Sequence, residues 1–314
     1  MLVISKAWNK KIQRVPLLSL SAQYPGLFEQ EVKFQSGPID ALELITNENL
    51  TSSFTGMLNS LGSHYKNQPD VPYRKVTSLG VVTVLQYPKF INATFSTKIK
   101  INPSEGGLSA KQLLEWIRFM VGSEHDVTIT RVEHKLDYIG MDATSCISSI
   151  WCNDIRKVND KSYKDETLYL GGRRSKKQAV IYNKAKEQGI TGHHWTRIEM
   201  RKNFAVNEQK SYYDILDLKT LPNPFEGMAL IEADESVILT AIHPYKVKIV
   251  TGSMVKTLKQ LKKKDRDAVL VSLEALGYLR WLSDDYLKEM NKWLKAFPNP
   301  FVHLSKSNAN LVVI

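Results

Sequence analysis

A four-residue phrase, Thr-Arg-hydrophobic-Glu, occurs as Thr130-Arg131-Val132-Glu133 and again as Thr196-Arg197-Ile198-Glu199. Each copy lies in a run that alternates polar and apolar residues, "DVTITRVEHKLDYIG" and "HWTRIEMRKN", the period of a strand with one face in the core. Successive side chains of a strand point to opposite sides, so the Arg and Glu of each phrase share a face. In the first run that face carries Arg131, Glu133, Lys135 and Asp137. If the two strands are neighbours in an antiparallel sheet, two carboxylates and two guanidiniums meet on one surface.

The flanking sequence extends this pattern. In "ATFSTKIKI", Phe95, Thr97, Ile99 and Ile101 alternate with Ser96, Lys98 and Lys100, which predicts a strand ending at "NPSEGG". "LSAKQLLEWIRFMVG" has helical spacing, with Leu113, Ile117 and Met120 on one stripe and a capping-box pair in Ser109 and Gln112. "ETLYLGGRRSKKQAVIY" reads as a hairpin turning at Gly171-Gly172. From about Ser253 the texture becomes helical and basic, up to Pro298 and Pro300. The expected architecture is α+β: a central antiparallel sheet flanked by helices over residues 1–248, and a basic helical C-terminal extension over 249–314.

Charge narrows the partner. With 43 Lys and Arg against 32 Asp and Glu, the formal charge of +11 attracts a polyanion, nucleic acid first and an anionic membrane second. No apolar run reaches the roughly 18 residues that span a bilayer, and the first residues lack the apolar core of a signal peptide. A cytoplasmic location is expected. Cys146 and Cys152 are too few for a disulfide framework or a four-cysteine zinc site. No Gly-x-x-x-x-Gly-Lys-Ser/Thr loop exists to cradle a triphosphate, so an ATP-driven motor is not expected.

In "LYLGGRRSKKQAVIYNKAKEQG", Tyr182 follows a basic cluster and precedes Lys184. A tyrosine in this setting is an anchor, a base-stacking ring or a nucleophile for phosphorus. A phenoxide attacking a phosphodiester preserves the bond energy in a phosphotyrosine that a later hydroxyl reverses, so DNA is nicked and rejoined without ATP. A free phenol with a pKa of about 10 is scarcely ionised at neutral pH and needs cations or a base. Lys184, Lys186, Arg173, Arg174, Lys176 and Lys177 are placed in sequence to offer charge, with Arg197 and Arg201 in the second run as further phosphate contacts. A divalent ion commonly assists as a Lewis acid, and Mg²⁺ or Mn²⁺ prefers carboxylates. Glu133 and Glu199 are the expected ligands, with Asp137 third; the seven histidines never fall two apart, as a His-hydrophobic-His metal strand would require.

Each reading has a plainer rival. Tyr182 also reads as a core or edge aromatic, Glu133 and Glu199 as cross-strand partners of Arg131 and Arg197, and Lys262, Lys263 and Lys264 as a solvated helix face. His194-x-x-Arg197 has the spacing that tyrosine recombinases use on a helix, here in a run that alternates as a strand. A non-catalytic origin-binding or regulatory protein is a further alternative, with salt-sensitive binding and no covalent adduct.

"ITRVEHKLD", "LYLGGRRSKKQAVIYNKAKEQ" and "WTRIEMRKN", in that order, resemble the replication initiation factors of small rolling-circle plasmids and filamentous phages. The likeness is clearest from about residue 127 to 204, and "FSTKIKINPSEGG" extends it upstream to about 93. It implies a sheet of the rolling-circle nickase type and a metal-dependent, single-tyrosine nickase. Such an enzyme cleaves one strand at an origin, stays on the 5′ phosphate and later reseals the circle. Tyr182 matches the nucleophile, Lys184 its Tyr-x-Lys partner, and Glu133 and Glu199 the acidic positions of the two strands. The chain departs from the pattern at Glu133, where relatives often carry Asp, and at Lys135, which intervenes before Asp137. Origin DNA, a host helicase and host replication proteins are the implied partners.

Overall fold

The structure, a computed structural model, describes residues 37–66, 71–153, 158–159, 167–172, 175–208, 210–216, 223–250 and 253–295. It divides into two compact units: Met1–Glu133 with Phe204–Leu221 and Glu289–Ile314, and His134–Asn203 with Pro222–Lys288. The fold is α+β, dominated by antiparallel sheet, and no helix among the described residues is long and apolar enough to cross a membrane.

In the first unit, β1 (Ile39–Thr46), β2 (Ser63–Lys66), β3 (Tyr73–Leu79), β4 (Val82–Pro88), β5 (Thr97–Ile101) and the start of β6 (Thr128–Ile139) lie in the order β2-β3-β4-β5-β1-β6. The alternation read in "TKIKI" is observed: Thr97, Ile99 and Ile101 are buried, while Lys98 and Lys100 face Glu43. Glu43 stands opposite Lys100 in the β1–β5 register, with Lys100 Nζ 3.2 Å from its Oε1. Burial alone would raise the Glu43 pKa; Lys100 and Lys98 outweigh it and hold the group at about 2.

Two helices of this unit, α1 (Ser52–Leu61) and α2 (Ala110–Val121), start on side-chain caps. At α2 the capping box is complete: the Gln112 amide donates to Ser109 Oγ at 3.2 Å, and the Ser109 amide to Gln112 Oε1 at 2.9 Å. Leu113, Ile117 and Met120 form its buried stripe. Beside its far end, Arg118 makes a bidentate pair with Glu124, and the Tyr213 hydroxyl donates to Glu124 Oε1 at 2.6 Å. These bonds, the Arg118 pair first, hold Glu124 at about 2 although burial opposes them.

The second unit continues β6 after Glu133 and adds β8 (Val158–Asn159), β9 (Thr167–Leu170), β10 (Lys177–Asn183) and β11 (Trp195–Asn203), in the order β6-β11-β10-β9-β8. The β9–β10 hairpin is antiparallel as expected, and Gly171 sits at its turn with φ of +87°, a conformation that suits glycine. The short helices α3 (Ala143–Ser149) and α4 (Lys184–Glu187) follow β6 and β10 in the chain.

A smaller sheet, β13-β12-β7, joins β7 (Ile150–Cys152), β12 (Met228–Ile231) and β13 (Leu279–Trp281). One apolar core unites it with α6 (Glu235–Ile242), α7 (Met254–Lys259) and α8 (Lys263–Ala275), through Trp151, Ile231, Ile238, Ile242, Leu258, Val269 and Leu273. The compact units therefore do not divide at residue 248: α7 and α8 share a core with strands that precede them. The remaining helices are α5 (Tyr212–Leu216) in the first unit and α9 (Leu282–Leu294), which begins in the second.

Candidate active site

The β10–β11 register sets the geometry. Tyr182 stands opposite Arg197, Val180 opposite Glu199, and Gln178 opposite Arg201. Tyr182 thus shares a face with Trp195, Arg197, Glu199 and Arg201, while Ala179, Ile181, Ile198 and Met200 fill the opposite side and are buried. Glu199 is the diagonal neighbour of Tyr182, a separation that two long side chains bridge. The Tyr182 hydroxyl donates to Glu199 Oε1 at 2.5 Å.

Glu199 is only 3% exposed. Its second oxygen accepts from Arg201, at 2.7 Å from Nη2 and 3.2 Å from Nε. A buried carboxylate keeps its charge only when paired and hydrogen-bonded, and these contacts meet that condition. The phenol is pushed in the opposite direction: burial first, then the Glu199 charge, raise its pKa well above the ordinary value, while Arg197 lowers it. At rest Tyr182 is a protonated phenol hydrogen-bonded to a buried carboxylate.

Next along the same face is a second ionic group. Arg197 binds Asp137 through two parallel bonds, Nε to Oδ1 at 2.7 Å and Nη2 to Oδ2 at 2.9 Å. Lys135 Nζ donates to Oδ2 at 2.7 Å and Trp195 Nε1 to Oδ1 at 3.0 Å. Burial would raise Asp137, but Arg197 and Lys135 lower it below the usual carboxylate range. Asp137, expected as a third metal ligand, is instead engaged on both oxygens by cationic and indole donors. Arg197, expected at DNA phosphate, is buried beneath the face and orients Asp137.

Asn183 ends β10 and caps α4, its Oδ1 accepting from the Lys186 amide at 2.9 Å, so the chain turns helical two residues after the tyrosine. Lys184 is buried, its ammonium paired with Glu187 and 5.9 Å from the Tyr182 ring centroid. Lys176 is exposed, Lys177 and Arg201 half-buried. Arg173 and Arg174 lie outside the described residues. The recombinase spacing His194-x-x-Arg197 runs into strand β11, and its arginine is held by Asp137.

Glu133 belongs to the first unit, where it pairs with Arg131. A residue that sequence reasoning missed lies beside it: Asp40, near the start of β1, offers a carboxylate oxygen within 4.8 Å of a Glu133 oxygen. Ser104 Oγ donates to Asp40 Oδ1 at 2.5 Å. Two hard oxygen donors this close fit Mg²⁺ or Mn²⁺ in kind, and no thiol or imidazole accompanies them in that group. The signal in the sequence was slight, one acid after Pro38-Ile39 in a segment whose strand pattern is irregular.

Fold and site together define a basic α+β protein with a tyrosine–carboxylate couple on the face of a large antiparallel sheet. No family model matches the chain, and no curated protein matches it. Among solved structures it is similar to the rolling circle replication initiator protein from Geobacillus stearothermophilus. The identity is 14%, over 77% of this chain and 96% of that one, with a TM-score of 0.40.

Proposed function

We propose that this chain is a rolling-circle replication initiator that nicks one DNA strand with Tyr182 and later religates it. The single observation that carries the reading is the 2.5 Å bond from the Tyr182 hydroxyl to Glu199, on the strand pair whose sequence resembles that family. In the forward step the phenolic oxygen bonds to phosphorus and the P–O3′ bond breaks. The departing O3′ takes a proton from solvent and leaves as a 3′ hydroxyl, a 5′ phosphotyrosine remains, and the phenolic proton passes to Glu199. Religation is the reverse: the 3′ hydroxyl attacks phosphorus and Tyr182 recovers its proton.

Glu133 is proposed to hold Mg²⁺ or Mn²⁺, with Asp40 beside it as a further donor. Glu199, expected as the other ligand, is engaged on both oxygens by Tyr182 and Arg201 and is proposed to serve as the base instead. When bound, such an ion supplies Lewis-acid polarisation of the non-bridging phosphate oxygens. Arg197 stabilises the developing phenolate from across the strand pair, and Asp137 fixes the Arg197 fork. Lys176, Lys177 and Arg201, with Arg173 and Arg174, are proposed to meet the phosphates of origin DNA. Lys184, its ammonium 5.9 Å from the Tyr182 ring centroid, is proposed to offer positive charge beside the phenol. Without a triphosphate loop in the sequence, strand separation falls to a host helicase, inside a bacterial cell.

The test is a denaturing gel of supercoiled plasmid carrying this chain's own replicon, incubated with Mg²⁺ or Mn²⁺. Wild type should leave protein covalently on the nicked strand, and Tyr182→Phe should leave none while still retarding the DNA in a native gel. An adduct of undiminished yield with Tyr182→Phe contradicts the reading.

A further inference from the structure

Beyond α4 the second unit contains a hollow of about 430 Å³, lined by Ile139, Ala185, Ile190, His193, His194 and Trp195 among others. Its walls are tied in place. The Ile190 amide donates to the Ala185 carbonyl at 2.8 Å, and the Gly140 amide to the His194 carbonyl at 2.8 Å. Ile139 is 76% exposed and Ile190 42%, so two large aliphatic side chains stand in water at its rim. Trp195 fixes its indole by the bond to Asp137, and the Arg197 guanidinium lies 5.8 Å from the ring centroid.

The hollow is close to the proposed chemistry by construction. Trp195 is two residues from Arg197 on β11, about 7 Å along the strand, and Arg197 stands opposite Tyr182. Ala185, on the other wall, is three residues after the tyrosine, and the exposed Lys186 follows it. A ligand with a flat apolar face joined to an anionic chain matches this combination of indole, aliphatic rim and flanking cation. We infer that the hollow receives the nucleobase adjoining the phosphate attacked by Tyr182, stacked against Trp195. The inference rests on the reading of Tyr182 as nucleophile. Stacking on an aromatic platform reads no base identity, so the site positions the strand and leaves sequence choice to other contacts.

The probe is an oligothymidylate carrying one 5-iododeoxyuridine, photocrosslinked to the protein and mapped by peptide mass spectrometry. Crosslinks are expected at Trp195, His193 or His194, in wild type and equally in Tyr182→Phe, since base docking needs no chemistry. Ile190→Trp, which fills the hollow from its exposed rim, should lower the crosslink yield about tenfold. Ile139→Trp is the second filling variant, and a melting curve shared with wild type shows that each folds. Crosslinks confined to other segments, or undiminished in both filled variants, overturn the base site. If wild type forms the covalent adduct on plasmid but never crosslinks here, the base site alone fails. Crosslinks here without any adduct sustain the base site and overturn the nicking step.

Discussion

At the residue scale the phenol and the carboxylate are tuned against each other. Burial and the Glu199 charge keep Tyr182 protonated, so in the proposed nicking step its proton needs an acceptor. Glu199→Gln removes that acceptor while keeping the shape, and adduct formation should slow by about 10²- to 10⁴-fold in single-turnover assays. A rate within a few-fold of wild type would rule out Glu199 as the base. Asp137 predicts a different phenotype. Asp137→Asn leaves buried Arg197 and Lys135 short of a counter-charge, and should cost roughly 3–5 kcal/mol in urea denaturation, the usual penalty for breaking a buried ion pair. Tyr182 and Glu199 were both singled out by their sequence, but their contact was not legible. It follows from the β10–β11 register, which places Val180 rather than Tyr182 opposite Glu199 and makes the bond diagonal. Asp137 carried a ligand's chemistry in the sequence and an ion-pair partner's position in the fold.

At the scale of elements, the half-buried pieces were the readable ones. β5 alternates in burial as it does in sequence, and α2 begins on the capping box that Ser109 and Gln112 announce. β11, by contrast, alternates only in sequence and is buried from Thr196 to Met200, its polar face closed over by ion pairs. β7 and β12 were not legible, because Ile150–Cys152 and Met228–Ile231 are buried at every position and so show no alternation. Acid should find the first unit's weak points. Glu43 and Glu124 both titrate at about 2 against an unperturbed 4.5, so their stabilisation is complete above pH 4.5 and is lost as pH falls toward 2. Denaturant midpoints should fall through that window, and Glu43→Gln should flatten the fall. An unchanged slope in that variant would assign the acid sensitivity to other groups.

At the scale of the whole molecule, the boundary expected at residue 248 reflected a real change of texture, from alternating strands to basic helices. It did not predict where the helices pack. Leu258, Val269 and Leu273 bury themselves with Trp151, Ile231, Ile238 and Ile242, so chain order and core membership diverge. Cutting after residue 248 should strip that core, yielding an aggregating chain without a cooperative melt by circular dichroism; a sharp melt in the 1–248 fragment would contradict this. The charge of +11 acts at the same scale, and DNA affinity should fall steeply and log-linearly with salt.

The central claim concerns one oxygen atom. Plasmid DNA nicked by wild-type protein, digested with nuclease and protease, should yield one peptide carrying a nucleotide by mass spectrometry, with the modification on Tyr182. A nucleotide found on any other residue, or nicked DNA with no modified peptide, would contradict the account.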